Sequence, residues 1–286
     1  MKKIFVLLIT STIAFISNAQ HGEIGIFAGA SLYQGDLTPG IVSIQSPNIA
    51  YGLFGAYTPI DRFTIKGSFY RGRIAADDAD QKNAKLRERN LSFRSNITEV
   101  GLRGEFNILG FQPADMYTPF SPYFFVGLAA THHNPKAEYQ GEWYELQPLG
   151  TEGQGIMGYT PKYDRVIVAI PYGGGIKYAL SEHFTVGFEL GVRKTFTDYL
   201  DDVSTTYVDP QTLLNSSSQG DLILALSNRT GELLGGEPIQ FEEGSVRGNP
   251  DNDDAYLIGG FSISYNIIGA GGYNYGRKKK RTGCRY

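Results

Sequence analysis

LSEHFTVGFELGVRKTFTDYLDDVS, residues 180–204, holds a turn, a two-faced strand and an acidic loop entry in immediate succession. Phe184, Val186, Phe188, Leu190 and Val192 alternate with Thr185, Gly187, Glu189, Gly191 and Arg193. Successive strand side chains point to opposite faces, so one face is wholly apolar and the other carries Gly, Thr and two opposite charges. In a soluble sandwich the apolar face is the inside. In a membrane barrel it is the outside, and Glu189 and Arg193 look inward at one another across a polar lumen.

The same alternation recurs outward from this stretch. It predicts strands over 23–33, 48–57, 62–74, 91–106, 123–133, 166–180 and 256–267, with Phe63, Ile65 and Phe69 opposing Thr64, Lys66 and Tyr70. On the last strand Leu257, Phe261, Ile263 and Tyr265 are expected to face outward, and Pro171 with Gly173-Gly174-Gly175 to mark a bend or bulge. Residues 75–90 are polar without apolar periodicity, which favours a loop over a short surface helix. Residues 134–165, with the single Trp143, and the segment from Asp198 to about Asp253 read as long irregular connections.

Eight strands joined alternately by long and shorter connections predict an all-β fold. It is an eight-stranded antiparallel transmembrane outer-membrane β-barrel, with long extracellular loops and a short periplasmic C-terminal tail. Each strand has the roughly 9–11 residues a tilted strand needs to cross. A β-sandwich explains the alternation too, but not the long-short order of the loops.

The ends and the composition agree with export. Lys2 and Lys3, the apolar run Ile4 to Ile16 and Ser17-Asn18-Ala19 have the layout of a signal peptide over 1–19. No Cys follows the cleavage site, so a lipoprotein is not expected. The barrel then occupies 20–268 and a basic tail 269–286. Thirty-six Gly, 19 Tyr and 17 Phe suit a barrel wall of small interior residues and interfacial rings. A net charge of −3 gives no reason to expect nucleic acid.

Three groups of residues are candidates for function. Lys66, Glu99, Arg103, Glu105, Lys177, Glu189 and Arg193 fall on the lumen face, where they form either an ion path or a paired network that plugs a narrow barrel. Asp198, Asp201 and Asp202, with Asp251, Asp253 and Asp254, place six carboxylates at one level, either solvated or binding calcium; Tyr199 beside them is assigned to an interfacial aromatic girdle. In the tail, Arg277, Lys278, Lys279, Lys280 and Arg281 are followed by Cys284, an unpaired thiol. Such a tail meets an acidic protein surface, anionic headgroups or only water; charge steering followed by disulfide capture of a periplasmic partner through Cys284 is the sharpest of these expectations.

Catalysis has few footholds. His132 and His133 are adjacent on a strand end and point to opposite faces, and His183 sits in a turn beside Glu182, so no nucleophile, base or metal set assembles and no cofactor is expected.

Thr197-Asp198-Tyr199-Leu200-Asp201-Asp202-Val203-Ser204 resembles the PorG-like outer-membrane β-barrel proteins of the type IX secretion system. EIGIFAGASLYQGDL (23–37), RNLSFRSNITEVGLRGEFN (89–107), SPYFFVGLA (121–129) and the run from Gly173 carry the rest of the resemblance, in order along nearly the whole exported chain. It implies a non-enzymatic barrel in the cell outer membrane that anchors a periplasmic ring of a PorK-like lipoprotein and a PorN-like protein and supports protein secretion. The alternative is a small outer-membrane barrel with a surface-binding or transport role through its long loops.

Overall fold

The computed structural model describes residues 21–38, 47–113, 118–235 and 238–268. Ten strands make one antiparallel sheet: β1 (His21–Gln34), β2 (Asn48–Ile60), β3 (Phe63–Asp77), β4 (Ser92–Asn107), β5 (Phe120–His132), β6 (Pro135–Tyr139), β7 (Glu142–Glu145), β8 (Val166–Ala179), β9 (Phe184–Thr195) and β10 (Ala255–Ile268). Because β1 pairs with both β2 and β10, and β3 with β4, eight of these strands close on themselves. The short β6–β7 hairpin hangs from the end of β4. The fold is a closed, eight-stranded antiparallel barrel of the outer-membrane type, and closure leaves no barrel edge to aggregate.

Which face is inside follows from β9. Phe188 and Leu190 are 39% and 50% exposed, whereas Glu189 and Arg193 between and beyond them are 1% and 0%. Ile24, Ile26, Leu53, Ile65, Phe69, Leu102, Phe124, Leu128 and Phe261 continue the apolar outer wall around the ring. A continuous apolar surface of this extent is costly in water and is matched by acyl chains.

Small inward residues and large rings interlock inside. A Cβ added at Gly191 would stand 2.5 Å from the Phe125 ring, at Gly25 2.3 Å from the Phe54 ring, and at Gly175 2.7 Å from the Tyr123 ring. A lumen only wide enough for side chains thus needs glycine wherever an aromatic crosses it.

Several local expectations are corrected. β8 runs through Pro171 and the glycine run with one register against both neighbours, so no bulge forms there; the register shift lies between Tyr57 and Ile60 of β2. Pro171 simply lacks an N–H to give. Leu257 shares the outward phase of Phe261 but is only 7% exposed. Residues 75–90 extend β3 to Asp77, then make a 3-10 turn and α1 (Ala84–Arg89). The Asn83 side chain accepts from Lys85 N at the start of α1, and Asn90, at φ 58°, ends it. The long connections fold as well: α2 (Leu146–Leu149) follows the hairpin, and α3 (Pro210–Ser216), α4 (Gly220–Ser227) and α5 (Thr230–Leu234) lie between β9 and β10. Local capping decides these: the Asp209 carboxylate accepts from Thr212 N with Pro210 in the first turn of α3.

All these insertions sit at one end. There the upper lumen turns apolar: Tyr33, Ile74, Phe93, Ile97, Tyr256 and Ile258 of the strands form one cluster with Leu37, Leu146, Leu200, Val203 and Leu226 of the loops. The loops therefore cap the barrel rather than wave above it.

Candidate functional site

The lumen below the apolar layer is ionic. β3 contributes Lys66, β4 Glu99, Arg103 and Glu105, β8 Lys177, and β9 Glu189 and Arg193, all buried. Arg103 pairs with Glu189 and, at 3.0 Å, with Glu105; Lys66 lies 3.2 Å from Glu189 and 3.8 Å from Glu105; Lys177 lies 2.9 Å from Glu105. Arg193 pairs with Glu99 at 3.3 Å. Glu189 and Arg193 do not meet each other: four residues apart along one strand they are too far separated, and each reaches across the lumen instead.

Tyrosines complete the network. Tyr70 and Tyr123 donate to Glu189 at 3.1 and 3.2 Å, and Tyr256 donates to Glu99 at 2.6 Å. Lys66 Nζ stands 3.7 Å from the centre of the Phe54 ring and Arg103 4.1 Å from that of Phe125, so these cations use ring faces as well as carboxylates. Glu23, paired with His21 at 3.2 Å and with Ser264 at 3.1 Å, joins the same layer. Four carboxylates thus face Lys66, Arg103, Lys177 and Arg193. Beside Lys66, Glu105 and Lys177 a void of about 20 Å³ has room for one water. The arrangement fills the lumen with paired charges, in which Arg193 Nη2 has no hydrogen-bond partner among the described residues.

A second network lies in the cap. Arg247 donates to Glu152 at 2.8 Å and to the carbonyl oxygens of Asp202 and Ser227 at 2.9 and 3.2 Å. Glu152 in turn accepts from the backbone N–H groups of Ser204 and Thr205. Arg89 holds both oxygens of Asp78 at 2.7 Å and reaches the Arg247 carbonyl. The Tyr33 hydroxyl lies 2.7 Å from both Asp201 and Asp254, and Asp202 accepts from Thr151 and Tyr163.

The six expected carboxylates divide. Asp198, Asp201, Asp202 and Asp254 are buried, while Asp251 and Asp253 are exposed. Asp201, Asp202 and Asp254 are engaged with Tyr33, Tyr163, Thr151 and backbone N–H groups, whereas neither oxygen of Asp198 has a hydrogen-bond partner among the described residues; among those residues no three acidic, His or Cys side chains converge as metal ligands. Burial, reinforced by Asp36, raises the Asp198 carboxyl to about 9, and burial raises Asp202 to about 6 against the opposing pull of Arg247. Burial also drives Asp201 and Asp254 well above the ordinary carboxylate range. Tyr199 is not in an interfacial girdle: it stacks on Tyr163 at 4.8 Å, and Tyr163 on His133 at 5.9 Å. His133 is buried and lowered to about 4, while His132 is exposed on the other face.

Sequence reasoning missed Tyr70, Tyr123 and Tyr256, though each lies on the inward phase of its strand, and the cap's Glu152, Arg247 and Arg89, whose loops carry no periodicity. The signal peptide, Arg277 to Arg281 and Cys284 lie outside the described residues.

A family model described as Domain of unknown function (DUF6089) matches residues 2–215. The chain belongs to the DUF6089 family. None of the curated proteins matches it in sequence. Among solved structures this DUF6089 chain is similar to Ail, the attachment invasion locus protein of Yersinia pestis, at 10% identity and a TM-score of 0.42, over 88% of this chain and 100% of that one. It is similar to the outer membrane protein OprG from Pseudomonas aeruginosa at 9% identity and a TM-score of 0.40, over 88% and 99%. The N-terminal β-barrel domain of Pseudomonas aeruginosa OprF aligns at 11% identity and a TM-score of 0.36, over 86% and 97%.

Proposed function

We propose that this DUF6089 chain is a non-enzymatic, non-conducting anchor in the outer membrane, acting through its two ends and not through its lumen. The observation that carries this is the filled interior: the Glu189–Arg103–Glu105 ion network below and the apolar, Arg247-braced cap above. A pore of this width would need unpaired polar groups along a water path.

Within this reading, the sequence resemblance supports a component of the type IX secretion system, its periplasmic tail engaging a ring of PorK-like and PorN-like proteins through Arg277 to Arg281 and, by disulfide, Cys284. Deleting residues 270–286 tests it: secretion stops while the barrel still reaches the outer membrane folded. Non-reducing gels of Cys284→Ser against wild type test the bridge, which requires a mixed disulfide present only in wild type.

A surface-binding role is the second reading, favoured by the folded cap and by Met157 and Val246, 97% and 78% exposed on it. Secretion unchanged by the tail deletion, but binding lost on grafting a short turn over 198–254, is the result that selects it.

A further inference from the structure

Arg71 and Arg73 follow Phe69 along the outward phase of β3, at the end of the barrel that carries the long connections. Both are exposed on the outer wall, and neither has an ion-pair partner among the described residues. Tyr51 on β2 is the registered neighbour of Arg71, and Asn96 on β4 that of Arg73. The Asn96 side chain accepts from Arg73 Nε at 3.3 Å, which orients the guanidinium and leaves its terminal nitrogens uncommitted. Ile49, Tyr51, Arg71, Arg73 and Asn96 line one groove of about 790 Å³ on this wall.

Two cations beside lipid-facing Ile49 and Tyr51 are costly unless an anion at the same depth answers them. A guanidinium fork matches phosphate oxygens in two-point contacts, and its weak hydration suits an interfacial position. We propose that Arg71 and Arg73 form a site for a phosphate group, that of a lipid headgroup in the outer leaflet, with the acyl chains running down past Ile49, Tyr51 and Leu53. Exposed apolar side chains in the same groove favour a lipid over free phosphate, which has no use for them. Arg94, two residues from Asn96 on β4, flanks the site with its guanidinium 3.3 Å over the Trp143 ring.

The site rests on the membrane placement, and the test separates the two. Full-length protein in an uncharged detergent is offered diphosphorylated lipid A, the same glycolipid without phosphates, or inorganic phosphate, and bound species are read by native mass spectrometry. Wild type and Lys194→Gln, which removes a lone exposed cation of β9, retain the diphosphorylated glycolipid. The Arg71→Gln, Arg73→Gln double variant retains about tenfold less or worse, with the same heat-dependent gel shift of a folded barrel. Equal retention by the double variant, or equal retention of the phosphate-free glycolipid, overturns the site; inorganic phosphate bound without glycolipid overturns the lipid assignment. Flotation with vesicles is followed in parallel: a double variant that floats like wild type but releases glycolipid locates the loss at the site. Failure of wild type to float removes the membrane placement and the lipid site with it.

Discussion

Glu189 of β9 is gripped from two strands at once, by the Arg103 guanidinium of β4 and by the Lys66 ammonium of β3, 3.2 Å away. With two tyrosine hydroxyls also donating to it, its carboxylate is the hub on which the lower lumen closes. Removing one partner of a buried ion pair strands the others. Glu189→Ala is therefore expected to cost about 3 to 5 kcal/mol, read as a lower urea midpoint in detergent. Arg193→Leu takes its cation from Glu99 and a donor from the Gly191 and Ile258 carbonyls, while Tyr256 still donates to Glu99. It should cost less, and a larger loss than that of Glu189→Ala contradicts the assignment of the hub.

The glycine and aromatic content makes a separate prediction. Gly191→Ala sets a methyl 2.5 Å from the Phe125 ring inside the lumen and should destabilise by about 1 to 3 kcal/mol through overpacking. Gly67→Ala, on the outward phase of β3 with a nearest atom at 4.0 Å, should leave the unfolding midpoint in place. Equal effects of the two would mean that the interior is not packed as described.

The alternation at residues 184–193, repeated along the other strands, is enough to read the barrel wall and to place Lys66, Glu99, Arg103, Glu105, Lys177, Glu189 and Arg193 on one surface, because a period of two is a local property of the backbone. Partner choice is not local. Whether Glu189 faces Arg193 or Arg103 depends on strand tilt and on which strands lie opposite across the lumen, and neither is written in one strand. The apolar upper lumen has a visible trace, since Ile74 and Ile97 occupy inward positions beyond Lys66 and Glu99, but that change of character looks like weaker alternation until the loops that bury it are in view. The cap itself depends on contacts such as Arg89 with Asp78 and Arg247 with Glu152, across separations that no periodicity marks.

Arg247 joins three loop segments by donating to Glu152, Asp202 and Ser227. Arg247→Ala should free the cap without opening the barrel. Limited proteolysis then cuts within residues 200–230 at least several times faster than in wild type, while the heat-dependent gel shift of the folded barrel is unchanged. Loss of the shift would mean that the cap is part of the barrel's own folding unit.

Tyr33 has one hydroxyl proton and two carboxylate neighbours at 2.7 Å, Asp201 and Asp254, so one of the two contacts requires a protonated carboxyl. Neither carboxylate oxygen of the nearby Asp198 has a hydrogen-bond partner among the described residues, which also suits the neutral form. Burial, with Asp36 adding to it, lifts Asp198 from 3.8 to about 9, and burial lifts Asp202 from 3.8 to about 6. An acid whose folded value is raised keeps its proton in the cap while the unfolded segment has already lost it. Over that window the unfolded state binds fewer protons, so the stability of the cap falls as pH rises, from near 4 up to about 9. Cleavage within residues 198–208 should therefore be faster at pH 9 than at pH 5 for wild type. Asp198→Asn removes that carboxyl's share of the slope and should slow cleavage of the cap at pH 9 relative to wild type, with little change at pH 5. A wild-type cap equally protected at both pH values, or one loosened by acid, would show that these carboxyls are held charged.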